Sequence, residues 1–466
     1  MPDAAARPAP RPLPASQPPP ASRADIGRTG ALLAPEATGK RLAWLDALRG
    51  IAALCVVFDH LTYAVLRPVR DAVYYWFDPG QYGVFVFFLV SGYIVPASLE
   101  RKGSVRGFWM SRVFRLYPLY LFAVGAMVVL WASGIGSLAG MGADPVTDSF
   151  ADVFMLQSVL WASALPNVVW SLAYEMVFYL LLTALFLGGV HRRSSRYALV
   201  FAVGAVALGR VLHPGALSHR MLTPGIVVAL TDSLVLLGLA LALAGRGRAR
   251  TGGAALAAAT GLGVITFNSG YAAPWESFAI FALMFTGTML YRAEARDYPW
   301  RRALYVAVLV FGFTLVAAQL HTSPLAENFI SIRRTFNSLE FAGLTFAAAM
   351  LCRNKKVPRA LAWLGVVSYS VYLLHPALIE VYRRVPWTRN ENSVPMELFL
   401  VAVFVSVLLV CCGLTRRFIE APMQRLGRRL TARLDARFGP DTPGPAGESA
   451  SQAEFAGQAE NLAILR

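Results

Sequence analysis

Long runs of apolar residues, separated by short polar stretches, dominate the sequence from residue 43 to residue 415. An apolar run of about 20 residues can cross the hydrocarbon core of a bilayer as a helix. The runs lack the period-two alternation of a transmembrane barrel. The pattern predicts an all-α polytopic membrane protein with about 10–12 transmembrane helices. The candidate spans are 43–66, 82–99, 116–136, 168–190, 197–213, 225–245, 253–272, 275–291, 303–320, 336–352, 361–382 and 397–415.

The composition agrees with a lipid bilayer as the solvent for most of this chain. Hydrophobic residues make up 56% of the sequence and charged residues 15%. Soluble domains have roughly 45–50% apolar and about 25% charged residues. The composition therefore excludes a water-soluble globular enzyme. Arginine outnumbers lysine 39 to 4, which is typical of a high-GC bacterial genome, so the predicted location is a bacterial plasma (inner) membrane.

The net charge of +16 predicts the orientation of the chain in the membrane. With twelve spans and a cytoplasmic N-terminus, the C-terminus is also cytoplasmic, and the inner loops carry 19 Lys and Arg residues against about 8 in the outer loops. Cytoplasmic loops are enriched in Lys and Arg. This rule explains the basic charge, so no nucleic-acid partner is expected. The inner loops are 100–115, 191–196, 246–252, 292–302 and 353–360.

Four segments organise the chain. Residues 1–40 are rich in proline and are predicted to be a disordered cytoplasmic arm. Residues 41–423 form the membrane domain. Residues 424–438 are basic, with leucines at i+4 spacing, and are predicted to be an amphipathic helix on the membrane surface. Residues 439–466 are predicted to be a disordered tail. The four cysteines lack CxxC spacing, so neither a disulfide framework nor a metal site is expected.

Ionisable residues within a membrane span are costly and by default mark a functional site. The first span carries Asp46, Arg49, Asp59 and His60. Arg49 and His60 are eleven residues apart, about three helical turns, so both lie on one face with a rise of roughly 16 Å. We expect them to line one continuous polar groove, with Asp46 pairing with Arg49. The alternative is a buried packing pair and a hydrogen-bonded interfacial histidine.

Two further spans carry polar residues on one face. In the fourth span Ser171, Glu175 and Tyr179 follow an i, i+4, i+8 spacing. In the eleventh span Ser368, Tyr372 and His375 share a face just before a proline. An inter-helix hydrogen bond for the carboxylate, and a capping role for the second histidine, are the structural alternatives.

Arg112 and Arg115 occupy one helix face at the inner boundary of the membrane, ahead of Tyr117-Pro118. Positive-inside topology alone explains a basic loop. Two guanidinium groups on one face could also hold a phosphate bidentately. A cytosolic phosphorylated donor, such as a coenzyme A thioester, fits such a pair.

Together these segments resemble the membrane acyltransferase-3 family, which O-acylates sugars. One departure is Ala47, where the family usually has glycine. Another is the region 197–345, which carries no motif, so no residue role of the family can be assigned there. The motifs, in family order, are Leu45–Gly50, the Arg49 to His60 spacing, Gly83–Tyr93 with Ser91, Arg112–Pro118, Trp170–Tyr179, Ser368–His375 and Glu420–Pro422.

The resemblance implies an O-acyltransferase that moves an acyl group from acyl-CoA to a carbohydrate hydroxyl, with His60 as the central catalytic residue. The expected carbohydrate is a cell-envelope glycan or a glycosylated natural product. Acyl-CoA is then a cosubstrate, and no cofactor is permanently bound. Glu175 is the preferred candidate for orienting His60 or positioning the acceptor. The predicted catalytic residues are His60, Arg49, Glu175, Asp46 and His375. The predicted donor- and substrate-binding residues are Arg112, Arg115, Ser171, Tyr179, Tyr372 and Ser91.

Several alternatives stay open at this point. A secondary transporter or exporter also fits twelve spans with buried charges, although such proteins concentrate charges in broken helices of two related halves. A non-catalytic scaffold leaves the buried charges unexplained. Oxyanion stabilisation could come from Arg49, Tyr372 or His375, and transfer could be direct or through an acyl-enzyme. The acyl chain, the acceptor with its membrane face, and the oligomeric state are undetermined.

Overall fold

The computed structural model describes residues 35–63, 65–135, 144–163, 165–270, 272–321, 328–384, 394–439 and 441, and these contain helices and no strand. The α-helices are α1 (Pro35–Thr62), α2 (Arg67–Trp76), α3 (Pro79–Lys102), α4 (Val105–Ala132), α5 (Pro145–Ala151), α6 (Trp170–Leu187), α7 (Ser194–Leu208), α8 (Pro224–Ala244), α9 (Gly247–Asn268), α10 (Pro274–Glu294), α11 (Trp300–His321), α12 (Asn328–Leu351), α13 (Arg359–Val366), α14 (Ser368–Tyr382), α15 (Val394–Thr415) and α16 (Ala421–Phe438). A 3₁₀ turn (Asn167–Val169) precedes α6, and π-helical turns lie at Ala216–Met221 and Arg416–Glu420.

Each of the twelve predicted spans coincides with a helix, or with the pair α13 and α14, which confirms an all-α polytopic membrane protein. Within the described ranges, six helices are long and apolar enough to cross a membrane, and the pair α13–α14 makes a seventh if it is one span. Helix α1 is less apolar because it carries Asp46, Arg49 and Asp59. The total of 10–12 spans and the orientation of the termini stay predictions.

Helix α3 packs against α1 on one side and α10 on the other. The backbones of α3 and α10 touch at two glycines. A Cβ on Gly92 would lie 1.9 Å from Met284 O, and one on Gly287 would lie 2.2 Å from Leu89 O. Small residues allow this close approach between membrane helices, whose packing depends on van der Waals contact.

Helices α13 and α14 meet at a bend of 68°. Helix α13 is pressed against α1, since a Cβ on Gly365 would lie 1.9 Å from Asp46 O. After the bend, α14 packs against both α1 and α4. This arrangement brings the C-terminal parts of α1 and α14 together.

Capping residues define the connection between α3 and α4. Gly103 ends α3 in the left-handed conformation at φ 59°, which glycine adopts without strain. The Ser104 side chain then accepts a hydrogen bond of 2.9 Å from Gly107 N at the start of α4. The basic loop is therefore short, and Arg112 and Arg115 lie on the early turns of α4.

The C-terminal end of the described chain folds back on α4. Helix α15 continues through the second π-helical turn into α16, which packs against α4. The predicted segment 424–438 is thus helical, and its membrane-surface location stays a prediction. The predicted arm and tail lie largely outside the described residues, although α1 already begins at Pro35, within the predicted arm.

Candidate active site

Two histidines from distant parts of the sequence meet between α1 and α14. His60 Nδ1 lies 2.8 Å from His375 Nε2, and the two rings are inclined by 16°. His375 is fully buried, whereas the His60 side chain keeps 32% of its surface exposed. His60 is therefore the member of the pair that a substrate can reach.

When both rings are neutral, the hydrogen bonds of the pair define which nitrogen of each ring carries the proton. His375 Nδ1 donates to Val371 O at 3.1 Å, because a carbonyl oxygen only accepts. His375 Nε2 then carries the lone pair and accepts from His60 Nδ1. This leaves His60 Nε2 without a proton, as a general base requires.

Asp59 provides a carboxylate beside the free nitrogen of His60. Asp59 Oδ2 lies 3.9 Å from His60 Nε2, and Asp59 Oδ1 is buried without a hydrogen-bond partner in the described part of the chain. The carboxylate fits because residue 80 is glycine, where a Cβ would lie 2.5 Å from Asp59 Oδ2. Helix geometry argued against Asp59 for orienting His60, because adjacent residues of a helix point about 100° apart. The sequence therefore favoured Glu175 for this role.

Glu175 does not contact His60 and has other partners. Its Oε1 accepts from Ser91 Oγ at 3.4 Å and from the hydroxyl of Tyr179. Ser171 Oγ lies 2.8 Å from Tyr372 Oη. Tyr372 donates its proton to Val168 O, so Ser171 is the donor of this pair.

These groups line a narrow cavity of about 70 Å³. Tyr372 is its link to the histidine pair, since its ring centroid lies 6.2 Å from that of His375. Of the two residues expected to line one polar groove, Arg49 lines this cavity and His60 does not. The polar and charged residues of the narrow cavity are Arg49, Ser91, Arg112, Arg115, Ser171, Glu175, Ser368, Tyr369 and Tyr372.

The predicted ion pair between Asp46 and Arg49 is absent, since the charged atoms of these two described residues do not come within 4.0 Å of each other. Arg49 instead lies in the combined field of Asp46, Glu175 and Arg115. The backbone of Asp46 forms the contact with α13. Its side chain lines neither the narrow cavity nor the larger cavity described next. Asp46 thus belongs to the packing of α1, apart from the cavity that Arg49 lines.

A larger cavity of about 520 Å³, the basic cavity, opens beside the narrow one. Arg112 and Arg115 line both cavities. Arg112 is only 5% exposed, and its guanidinium stacks over Phe108 and Tyr179 at 5.1 Å from each ring centroid. The basic cavity is lined by Ser98, Lys102, Ser104, Gly107, Ser111, Arg112, Phe114, Arg115, Gln424, Gly427, Arg428, Thr431, Ala432 and Asp435.

Apart from Asp46, the structure therefore groups the predicted residues into two adjoining sets. The histidine pair forms one, and the predicted binding residues with Arg49 and Glu175 gather around the narrow cavity. Sequence reasoning missed the contact of Asp59 with His60 and the lining positions of Lys102 and Arg428. The sequence indicated these positions only weakly: Asp59 as a charged residue next to His60, Lys102 as part of a basic loop, and Arg428 as part of a basic helix.

The structure is thus that of a helical membrane protein with a histidine pair between two helices, a polar cavity and a cavity lined by arginines. The family of the acyltransferase domain matches residues 42–416 of this chain. The chain belongs to this acyltransferase family, as its motifs indicated.

Similar curated proteins carry transferase names. The chain is 24% identical over 410 residues to the putative peptidoglycan O-acetyltransferase YrhL of Bacillus subtilis, covering 84% of this chain and 56% of that protein. It is 23% identical over 421 residues to the O-acetyltransferase OatA of Staphylococcus aureus, covering 85% and 60%. The acyltransferase MdmB of Streptomyces mycarofaciens is 32% identical over 152 residues, covering 30% and 38%.

The chain thus spans about half the length of the curated relatives that it matches. No solved structure matches it.

Proposed function

We propose that this protein is an integral membrane O-acyltransferase that moves an acyl group from acyl-CoA to a hydroxyl group of a carbohydrate. The observation that carries the proposal is the hydrogen-bonded chain from Val371 O through His375 to His60, which leaves His60 Nε2 free to accept a proton. Family membership supports acyl transfer, and the name of one relative, a putative peptidoglycan O-acetyltransferase, supports an envelope glycan as the acceptor.

In the proposed reaction, the acceptor hydroxyl gives its proton to His60 Nε2 while its oxygen attacks the thioester carbonyl carbon. A carbon–oxygen bond forms and the carbon–sulfur bond breaks. The departing thiolate takes the proton from His60, so the products are an ester and free coenzyme A. The transient imidazolium lies 3.9 Å from Asp59 Oδ2, which stabilises its positive charge.

The two cavities suggest how the donor lies. The phosphates of coenzyme A bind Arg112 and Arg115, whose guanidinium groups suit phosphate oxygens. Because both arginines also line the narrow cavity, the acyl-bearing arm extends through that cavity toward Tyr372. The acceptor approaches from the exposed side of His60.

The hydrogen bonds also bear on the oxyanion. Tyr372 donates to Val168 O and His375 donates to Val371 O, so neither has a proton to offer to a developing negative charge. The third candidate named from the sequence, Arg49, lines the narrow cavity, which His60 does not line, so the geometry favours none of the three as the oxyanion donor beside His60.

The test uses purified protein in nanodiscs of bacterial lipid, radiolabelled acetyl-, propionyl- and butyryl-CoA, and a carbohydrate extract as acceptor. We expect acceptor-dependent release of coenzyme A, with a loss of about 10²–10⁴-fold in His60→Ala. His213→Ala, at an exposed position between α7 and α8, is the matched control and retains activity. Acetyl-CoA binding by both variants shows that they are folded.

Two results would contradict the proposal. Unchanged release of coenzyme A by His60→Ala would show that His60 does not take part in the reaction. A folded wild-type protein that binds none of the acyl-CoAs contradicts acyl-CoA as the donor. Uptake or efflux by proteoliposomes then tests the transporter alternative.

A further inference from the structure

Helix α16 forms one wall of the basic cavity, although it begins after residue 416, where the family match ends. It is seated on α4 by a close contact at Gly427, where a Cβ would lie 2.7 Å from Phe114 Cβ. An ion pair of 3.2 Å between Arg106 Nη1 and Asp435 Oδ1 holds its C-terminal part. The position of α16 is therefore set by packing as well as by its amphipathic sequence.

The charges lining the basic cavity are unbalanced. Lys102, Arg112, Arg115 and Arg428 line it together with a single carboxylate, Asp435. Asp435 already pairs with Arg106. In the described ranges, none of the four cations forms an ion pair within 4.0 Å, and Arg112 Nε is buried without a partner.

The four cations also lie within reach of one another. Lys102 is repelled by Arg112 and Arg428, and Arg112 is repelled by Arg115. Like charges around one cavity destabilise each other, and a bound anion removes that cost. The cavity volume of about 520 Å³ accommodates a ligand much larger than a single phosphate.

The cations divide into two pairs by position. Arg112 and Arg115 line both cavities, whereas Lys102 and Arg428 line only the basic cavity. Coenzyme A divides in the same way. Its diphosphate is joined to the acyl-bearing arm, and its third phosphate stands on the 3′ position of the ribose, away from the arm.

We propose that α16 belongs to the donor site, and that Arg428, with Lys102 from the end of α3, binds the ribose 3′-phosphate of the donor. The diphosphate then lies on Arg112 and Arg115. This assignment rests on the proposed function, because it takes acyl-CoA as the donor. It makes α16 a specificity element that distinguishes a 3′-phosphorylated nucleotide from its dephosphorylated form.

The experiment compares binding of coenzyme A and 3′-dephospho-coenzyme A to the full-length protein in nanodiscs. We expect Arg428→Gln to weaken coenzyme A binding about tenfold, since a charge-assisted hydrogen bond to phosphate is lost. Binding of 3′-dephospho-coenzyme A stays unchanged in that variant. With acetyl-CoA as substrate, KM rises and kcat is retained, and Arg428→Lys restores part of the affinity.

Arg429→Gln is the matched control, because Arg429 is the next residue of α16, is exposed and does not line the cavity. Equal affinities of Arg428→Gln and Arg429→Gln for coenzyme A would overturn the inference, as would an equal weakening for both nucleotides. If the wild type binds coenzyme A and needs Arg112 and Arg115, the proposed donor stands while the role of α16 fails. If the wild type binds no coenzyme A, both fail.

Discussion

His60 and His375 are separated by 315 positions in the chain, yet each determines the state of the other. His375 uses one ring nitrogen to donate to Val371 O and the other to accept from His60. A second residue that selects the tautomer and orientation of a histidine is a recurrent feature of catalytic sites. In the proposed mechanism, His375 is therefore a positioning residue that acts through His60.

The role of His375 is tested by comparing two substitutions. His375→Ala removes the acceptor for His60 Nδ1, so we expect kcat to fall about 100-fold while KM for acyl-CoA is kept. His375→Gln places an amide oxygen near the position of Nε2 and retains part of the activity. Steady-state kinetics in nanodiscs measures both constants. Equal losses in the two variants would show that accepting the hydrogen bond from His60 Nδ1 is not what His375 contributes.

Asp59 shows how a side chain can depart from an expectation built on helix geometry alone. Adjacent residues point about 100° apart around a helix, but an Asp and a His side chain together can still bring their polar atoms within 3.9 Å. Gly80 on α3 leaves the space for this carboxylate. The contact therefore depends on a neighbouring helix.

At the scale of elements, the contact between α3 and α10 is sensitive to added volume. We expect Gly92→Ala to destabilise the protein by about 1–3 kcal/mol, because its Cβ would lie 1.9 Å from the backbone oxygen of Met284. Backbone atoms cannot move aside as a flexible side chain can. The thermal unfolding midpoint in detergent measures the loss.

Gly125→Ala on α4 is the control for this substitution. A Cβ there meets no atom within 4 Å, and alanine favours a helix over glycine by about 1 kcal/mol. Its midpoint is therefore unchanged or raised. A Gly92→Ala protein as stable as Gly125→Ala would mean that α3 and α10 are less closely packed than described.

For the whole molecule, the distribution of Lys and Arg predicts that the loop after α12 is cytoplasmic. Cys352 lies at that end of α12 and is exposed, while Cys55 and Cys411 are partly buried and Cys412 is buried. We expect a membrane-impermeant maleimide to label Cys352 only after cells are permeabilised. Mass spectrometry of the labelled protein identifies the site.

Cys352→Ser is the control for this labelling experiment, since it removes the only cysteine that is exposed in the described structure. Labelling of the wild type in intact cells, lost in Cys352→Ser, would place this loop outside and reverse the predicted orientation. The proposed cytosolic donor site near Arg112 would then need a different source of substrate.

The sequence by itself determined the helical spans, the membrane class and the family, because these depend on local features. The length of an apolar run decides whether a helix can cross a bilayer, and short motifs such as Ser368–His375 are read without knowing their neighbours. The motifs also named most residues of the narrow cavity. They could not show which of those side chains touch.

The tertiary structure decided the contacts between distant helices. The 68° bend before α14 and the close contact of α13 with α1 at Gly365 bring His60 to His375. The packing of α3 beside α6 brings Ser91 to Glu175, whereas the contact of Glu175 with Tyr179 is an i, i+4 pair within α6. The same holds for α16, whose basic sequence suits a membrane surface but whose Gly427 packs on α4. Helical periodicity describes the faces of one helix, whereas partners depend on how close two backbones can approach.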